Sequence, residues 1–413
     1  MIEWNKAKLG EIASITSSKR IYANEYKTEG IPFYRGKEII EKYYGHEVST
    51  ELFISRERYE EIKHKFDVPR QGDILLTSVG TLGIPWFVDE EEFYFKDGNL
   101  TWIRCNEEIV SDFLYLWLNS PEAKKQINSM CIGSTQKALT IEIIKKFDVS
   151  LPPLDVQKAI CSMVNPISDK INVNNAINRN LQEQAKTIFK EWFIDTPNVS
   201  EWETGIFSDL VFSTLGGDWG KENETGNYTE QVYCVRGADI PEVNAGNKGK
   251  MPTRFILPKN YASKKLVAGD IVVEISGGSP TQSTGRVASI SQSLLDRYDK
   301  GMVCTNFCRA IKPKPGYSMF IYYYWQYLYD KGVFFLYENG TTGIKNLDIN
   351  GFLGNEEIVL PPKELVDQFD EFCQSIFNQI FKNGISIEKL ADTRETLLPK
   401  LMSGELDVSS IDI

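Results

Sequence analysis

Histidine is almost missing from this chain: His46 and His64 are the only two in 413 residues. That scarcity removes most zinc sites and most imidazole-driven nucleophiles, because both need ring nitrogens in number or beside a Ser or Cys. No apolar run approaches the roughly 20 residues of a membrane span. The start, Met1-Ile2-Glu3-Trp4-Asn5-Lys6, has no signal-peptide pattern. The phosphate loop Gly-x-x-x-x-Gly-Lys-Ser/Thr, the His-Glu-x-x-His pair and the Gly-x-Ser-x-Gly elbow are all missing. So is a glycine-rich strand-to-helix turn that would hold a nucleotide or a methyl donor. Pro152-Pro153 sits between leucines, not in the Asn-Pro-Pro-aromatic tetrapeptide of amino-group methyltransferases. Carboxylates are plentiful, so a cryptic carboxylate or metal site stays open as an alternative. Seven cysteines, scattered from Cys105 to Cys373, fit a reducing cytoplasm better than a disulfide framework, and Cys304 and Cys308 read as buried thiols.

Excess positive charge is also absent. The formal net charge is −11, with acidic runs such as Asp89-Glu90-Glu91-Glu92. Proteins that grip nucleic acid usually carry a basic footprint, so this balance predicts weak unaided binding to DNA. Hydrophobic content of 42% and charged content of 25% are ordinary, and the length allows two or three domains with their own cores.

What is present is a duplication. Trp4 is answered by Trp202, Tyr34-Arg35-Gly36 by Val235-Arg236-Gly237, and Gly72-Asp73-Ile74-Leu75-Leu76 by Gly269-Asp270-Ile271-Val272-Val273. Asn99, Phe113 and Gly133 match Asn306, Phe320 and Gly340 at one constant separation, and Leu151-Pro152-Pro153 matches Leu360-Pro361-Pro362. A repeat this long exceeds the roughly 20–50 residues of a solenoid unit and predicts a duplicated domain plus connector. The expected organisation is α+β. An α/β domain over 1–150 leads to a helical connector over 151–195, and a second domain over 196–358 to a closing connector over 359–413. Aromatic stretches at Phe113–Leu118 and Phe320–Trp325 read as helix cores rather than base-stacking platforms.

Each connector carries a seam of apolar residues at alternating three- and four-residue spacing. In the first the seam is Ile160, Val164, Ile167 and Ile171, then Leu181, Ala185, Ile188 and Trp192, with Asn174 and Asn178 between the runs. In the second it is Leu365, Phe369, Phe372 and Ile376, then Ile387, Leu390, Leu397 and Leu401, with Asn383 in the gap. Pro166 predicts a kink or a break. The simplest cover for one stripe is the other, which predicts an antiparallel coiled coil related by a pseudo-two-fold axis. The asparagines either fix register inside the seam or lie at its solvated edges.

Polar loops recur at equivalent places. Gly133-Ser134-Thr135-Gln136-Lys137 faces Gly340-Thr341-Thr342-Gly343-Ile344-Lys345-Asn346. Small hydroxyls and lysine suit phosphate oxygens, and a carboxamide suits an adenine edge. Arg35 and Arg236, with Lys37 nearby, either clamp phosphate or guanine or prop a loop from inside. The loops after the Gly-Asp strands differ, with Ser78 and Thr81 in one and Ser276, Gln282 and Arg286 in the other. Unequal loops on an equal scaffold are what two recognition specificities require.

The tandem halves, the Leu-Pro-Pro helix entries, the two polar loops, Phe189-Lys190-Glu191-Trp192-Phe193 and the ending Leu397-Leu398-Pro399-Lys400-Leu401-Met402-Ser403-Gly404-Glu405 together resemble the DNA-specificity subunits of type I restriction-modification systems. The resemblance implies two target-recognition domains, each reading one half of a bipartite, asymmetric site in double-stranded DNA. It implies a noncatalytic chain whose helices set the spacer and dock two methyltransferase subunits and the restriction–translocase subunits. S-adenosylmethionine, ATP and Mg would belong to those partners, with none on this chain. Two other classes remain open: a self-contained nuclease or methyltransferase, and a two-headed scaffold that does not bind DNA.

Overall fold

The computed structural model describes residues 4–45, 48–131, 137–279, 282–340 and 344–408. The chain divides into two compact units, residues 1–172 with 390–413 and residues 173–389. Each unit contains the same three sheets. A four-stranded antiparallel sheet runs Ala13–Thr16, Leu100–Cys105, Ile74–Thr77, Pro85–Phe87 in the first unit. Its counterpart runs Val211–Gly216, Cys308–Pro313, Ile271–Glu274, Val287–Ser289. The inner strands Ile74–Thr77 and Ile271–Glu274 are buried along their whole length, and the first three residues of each are apolar on both faces. A three-stranded sheet pairs Ile31–Tyr34 antiparallel to Phe53–Ile54 and parallel to Tyr94–Phe95. Glu230–Val235 pairs in the same way with Thr253–Ile256 and Met302–Cys304. Two short ribbons, Asn5–Lys8 with Asp148–Leu151 and Glu203–Ile206 with Glu357–Leu360, complete the repeat.

The Gly-Asp turns show how closely the copies agree. Gly72 and Gly269 hold φ of 91° and 92°, where an L side chain is strained. The Asp73 carboxylate accepts from the Arg70 N–H, and the Asp270 carboxylate from the Val267 N–H, both at 2.9 Å. The backbone then launches a central strand in both units.

The register also corrects one sequence pairing. Thr77 lies opposite Leu100 and Glu274 opposite Cys308, so Asn99 corresponds to Phe307 and not to Asn306. The cause is turn length. Lys96 bonds back to Tyr34 and Thr305 to Val235, so Lys96–Asn99 spans one residue more than Thr305–Phe307.

The aromatic helices Ser111–Leu118 and Ser318–Asp330 are core elements. Phe113, Trp117, Phe320 and Trp325 are wholly buried, as the sequence predicts. Burying each such ring stabilises by about 1.5–3 kcal/mol, which explains why the rings face inward rather than toward a ligand.

The two long helices, Leu154–Phe193 and Lys363–Met402, pack together antiparallel. In the first unit Ser168 meets Arg394. In the second, the partners of Asn174, Asn178 and Trp192 are Ser386, Asn383 and Phe369, so one helix recedes as the other advances. The seam is not closed by helix on helix alone. Ile160 and Val164 join Leu398, Leu401 and Met402 in the core of the first unit. Phe369, Cys373, Ile376 and Phe377 join the second core with the aromatic helix. In the latter part of the central helix the fully buried positions are Ala185, Phe189 and Phe193, while Ile188 and Trp192 are half-buried. The seam residues expected to dock subunits are therefore largely consumed inside the chain. Ile160, Val164, Ile171, Phe369, Ile376 and Leu401 are buried, and Ile167, Leu181, Phe372, Leu390 and Leu397 are half-buried. Pro166 does not interrupt the helix, which runs through it. The lost backbone bond, worth about 3 kcal/mol in an isolated helix, is outweighed by the packing of Val164 and its neighbours into the core.

The asparagines occupy the seam and are buried. Asn178 donates to the Ala245 and Ile380 carbonyls at 3.1 Å and accepts from Asn383 at 2.8 Å. Asn383 also accepts from Gln379 at 2.8 Å. Beside this cluster the chain packs backbone on backbone. A Cβ on Gly384 would lie 1.9 Å from the Gly246 carbonyl oxygen, so a residue that weakens helices stands in mid-helix.

Candidate nucleic-acid interface

Three segments far apart in sequence meet at one edge of each unit, through the same two hydrogen bonds. In the first, the Ser78 N–H donates to the Asn99 carbonyl at 2.8 Å and the Leu139 N–H donates to the Ser78 carbonyl at 2.9 Å. In the second, the Ile275 N–H donates to Phe307 at 2.9 Å and the Leu347 N–H to Ile275 at 2.8 Å. The loop after the Gly-Asp strand, the turn before the long strand and the end of the polar loop thus form one ladder. Val79 bridges Ala138 in the first unit. In the second the ladder widens into a small sheet, Ser276–Gly277, Lys345–Leu347 and Glu338–Asn339. Two candidate loops that the sequence presents separately are one surface.

In the second unit much of the charge on this edge is internally paired. Arg286 grips the Glu274 carboxylate with two bonds of 2.7 Å. Lys345 donates to Glu338 at 2.7 Å and lies 5.1 Å from the centre of the Phe335 ring. Burial opposes ionisation of Glu338, but the bonds from Lys345 and Thr284 outweigh it and hold the carboxyl below its usual range. Ser276 shares a 2.5 Å bond with Asn346, which is itself exposed. Gln282 is hydrogen-bonded to Ser279 and is exposed.

In the first unit Thr81 and Lys137 are exposed, whereas Ser78 is not. The Ser78 hydroxyl is buried 2.6 Å from that of Thr101, so the structure withdraws it from any contact with a ligand. Ser134, Thr135, Gln136, Thr341 and Thr342 lie outside the described residues. Arg35 and Arg236 take the propping role. Arg35 donates to wholly buried Glu38 at 2.7 Å. Arg236 donates to Asp239 at 2.9 and 3.0 Å and to the Lys250 carbonyl at 2.7 Å. In both, the arginine's own N–H also caps onto the acid. Lys37 is exposed and faces Glu41 at 3.7 Å. Sequence reasoning missed Phe307 because a match of asparagine to asparagine hid the shorter turn.

Residues 1–183 match the family model for the type I restriction modification DNA specificity domain. The MjaIX type I restriction enzyme specificity subunit of Methanocaldococcus jannaschii is 22% identical, over 99% of this chain and 95% of that protein. The HindI specificity subunit of Haemophilus influenzae is also 22% identical, over 98% and 100%. Residues 1–183 thus carry the type I DNA specificity domain, and the chain as a whole is similar along its length to type I specificity subunits. A further H. influenzae protein described as such a subunit is 33% identical, but over 41% of this chain and 42% of its own length. The crystal structure of the S subunit from M. genitalium shares the fold, with TM-score 0.57 at 14% identity over 97% of this chain and 96% of that one. The family is the noncatalytic component of its systems. Among the described residues, no cluster of His, Cys, Asp and Glu suits a metal. No described helix is long and apolar enough to cross a membrane.

Proposed function

We propose that each unit reads one half of a bipartite, asymmetric DNA site, and that the chain delivers that reading to enzymatic subunits bound to it. The supporting observation is the duplicated ladder, which brings equivalent loops to one edge in both units while giving them different side chains. Identical edges would suit a palindrome; these suit unequal half-sites. Two methyltransferase subunits would supply S-adenosylmethionine and flip the target adenine, since its amino group is otherwise out of reach inside a duplex. Restriction–translocase subunits would supply the ATP and Mg chemistry. For docking, the central helix offers Val173 and Ile177, exposed and one turn apart, in place of the seam that the chain itself covers.

Lys137→Ala tests the DNA reading. In the assembled methyltransferase, affinity should fall across all duplexes and the salt slope should shrink by about one. Unchanged affinity and slope would remove Lys137 from the interface. Methylation or cleavage of DNA by the purified chain alone would instead replace this reading with an enzymatic one.

A further inference from the structure

Phe307 is a large apolar side chain held out where the ladder begins. It is 61% exposed, although it sits directly before buried Cys308, the first residue of the strand Cys308–Pro313. Its backbone is not loose. The Phe307 carbonyl accepts from both the Ile275 and Ser276 N–H groups, at 2.9 and 3.2 Å. The turn that carries it is closed by the Cys308 N–H on the Thr305 carbonyl at 2.9 Å and anchored by the Thr305 N–H on Val235 at 3.0 Å. Gly217 lies so close that a Cβ there would be 1.9 Å from the Thr305 carbonyl oxygen. Leu336 and Ile344, 83% and 64% exposed, flank the neighbouring strands Glu338–Asn339 and Lys345–Leu347. In the first unit the same position carries Asn99 on the same hydrogen bond.

We propose that Phe307 reads a base of the second half-site by packing its ring on a thymine methyl in the major groove. This rests on the DNA-reading function above. With its backbone already fixed by hydrogen bonds, the segment loses little freedom on contact beyond that of the ring itself, and the thymine C5-methyl is the apolar mark of the major-groove edge. The nearby cations, Lys345 and Arg286, are bonded to carboxylates and do not duplicate this reading. The amide of Asn99 suits an adenine edge instead, so this position adds to the differences between the two halves.

The experiment uses the full chain assembled with its methyltransferase subunits and the duplex identified by methylation mapping. Phe307→Ala should weaken specific binding about 5- to 150-fold, the range that losing the readout of one base pair carries. Its melting temperature should hold, since the ring is exposed. Replacing the contacted thymine by deoxyuridine should weaken the unaltered complex and leave the Phe307→Ala complex indifferent. Phe307→Asn should change the methylated sequence in one half-site only. Equal binding by Phe307→Ala, equal loss on all duplexes, or a loss confined to subunit assembly would each overturn the proposal. If the unaltered complex showed no sequence preference, the DNA-reading function itself would fall instead.

Discussion

Arg35 and Arg236 show how a side chain can look like a DNA contact and serve the fold. Both precede glycine in a turn, and both spend the guanidinium on a buried acid three residues on. Removing Arg236 would leave Asp239 inside with only backbone donors. Arg236→Ala should therefore cost about 1–3 kcal/mol of stability, measured by denaturant unfolding, with the methylated sequence of both half-sites unchanged. A changed half-site at unchanged stability would restore the arginine to the interface. The residue types near the ladder were legible in the sequence. Whether each faces solvent or a carboxylate was not, because Glu274 and Glu338 reach Arg286 and Lys345 only once the strands are paired.

At the level of elements, the long helices were the most legible part, since periodicity and the Leu-Pro-Pro entries are local signals. Their seam was less so. Phe189 and Phe193 outrank Ile188 and Trp192 because the ring of Phe320, from a separate helix, packs at 5.8 and 5.0 Å from them. The buried asparagines carry a testable consequence. Asn178→Ala strips partners from Asn383 and from the Ala245 and Ile380 carbonyls, and should destabilise by about 1–3 kcal/mol for each group left unpaired. The Asn178→Ala, Asn383→Ala double variant should lose less than the sum of the singles, as groups in one network do. Additive losses in chemical denaturation would show that the two amides act independently.

Taking the molecule as a whole, the division into units places the start of the central helix and the end of the closing helix with the first domain, and the remaining stretches with the second. If the helices set the spacing of the two half-sites, matched insertions in both should change the spacer found by methylation mapping and leave both half-sites intact. Altered half-sites with an unaltered spacer would contradict this. The net charge of −11 belongs to the same scale. With Arg35, Arg236, Arg286 and Lys345 paired internally, affinity for DNA should depend on the assembled partners.

The sequence by itself determined the duplication, the matched Gly-Asp strands, and the two long helices. Each depends on neighbours close along the chain, where spacing and residue type suffice. Only the tertiary structure decided which loops share an edge, which cations are already paired, and that Asn99 stands opposite Phe307 rather than Asn306. Those outcomes depend on how the strands pair across their turns, from seven residues apart at Glu338 and Lys345 to more than 20 at Ser78 and Asn99, and a single residue's difference in one turn moves the register of the strand that follows it. The duplication therefore locates two equivalent edges, and the folded ladder shows where they differ.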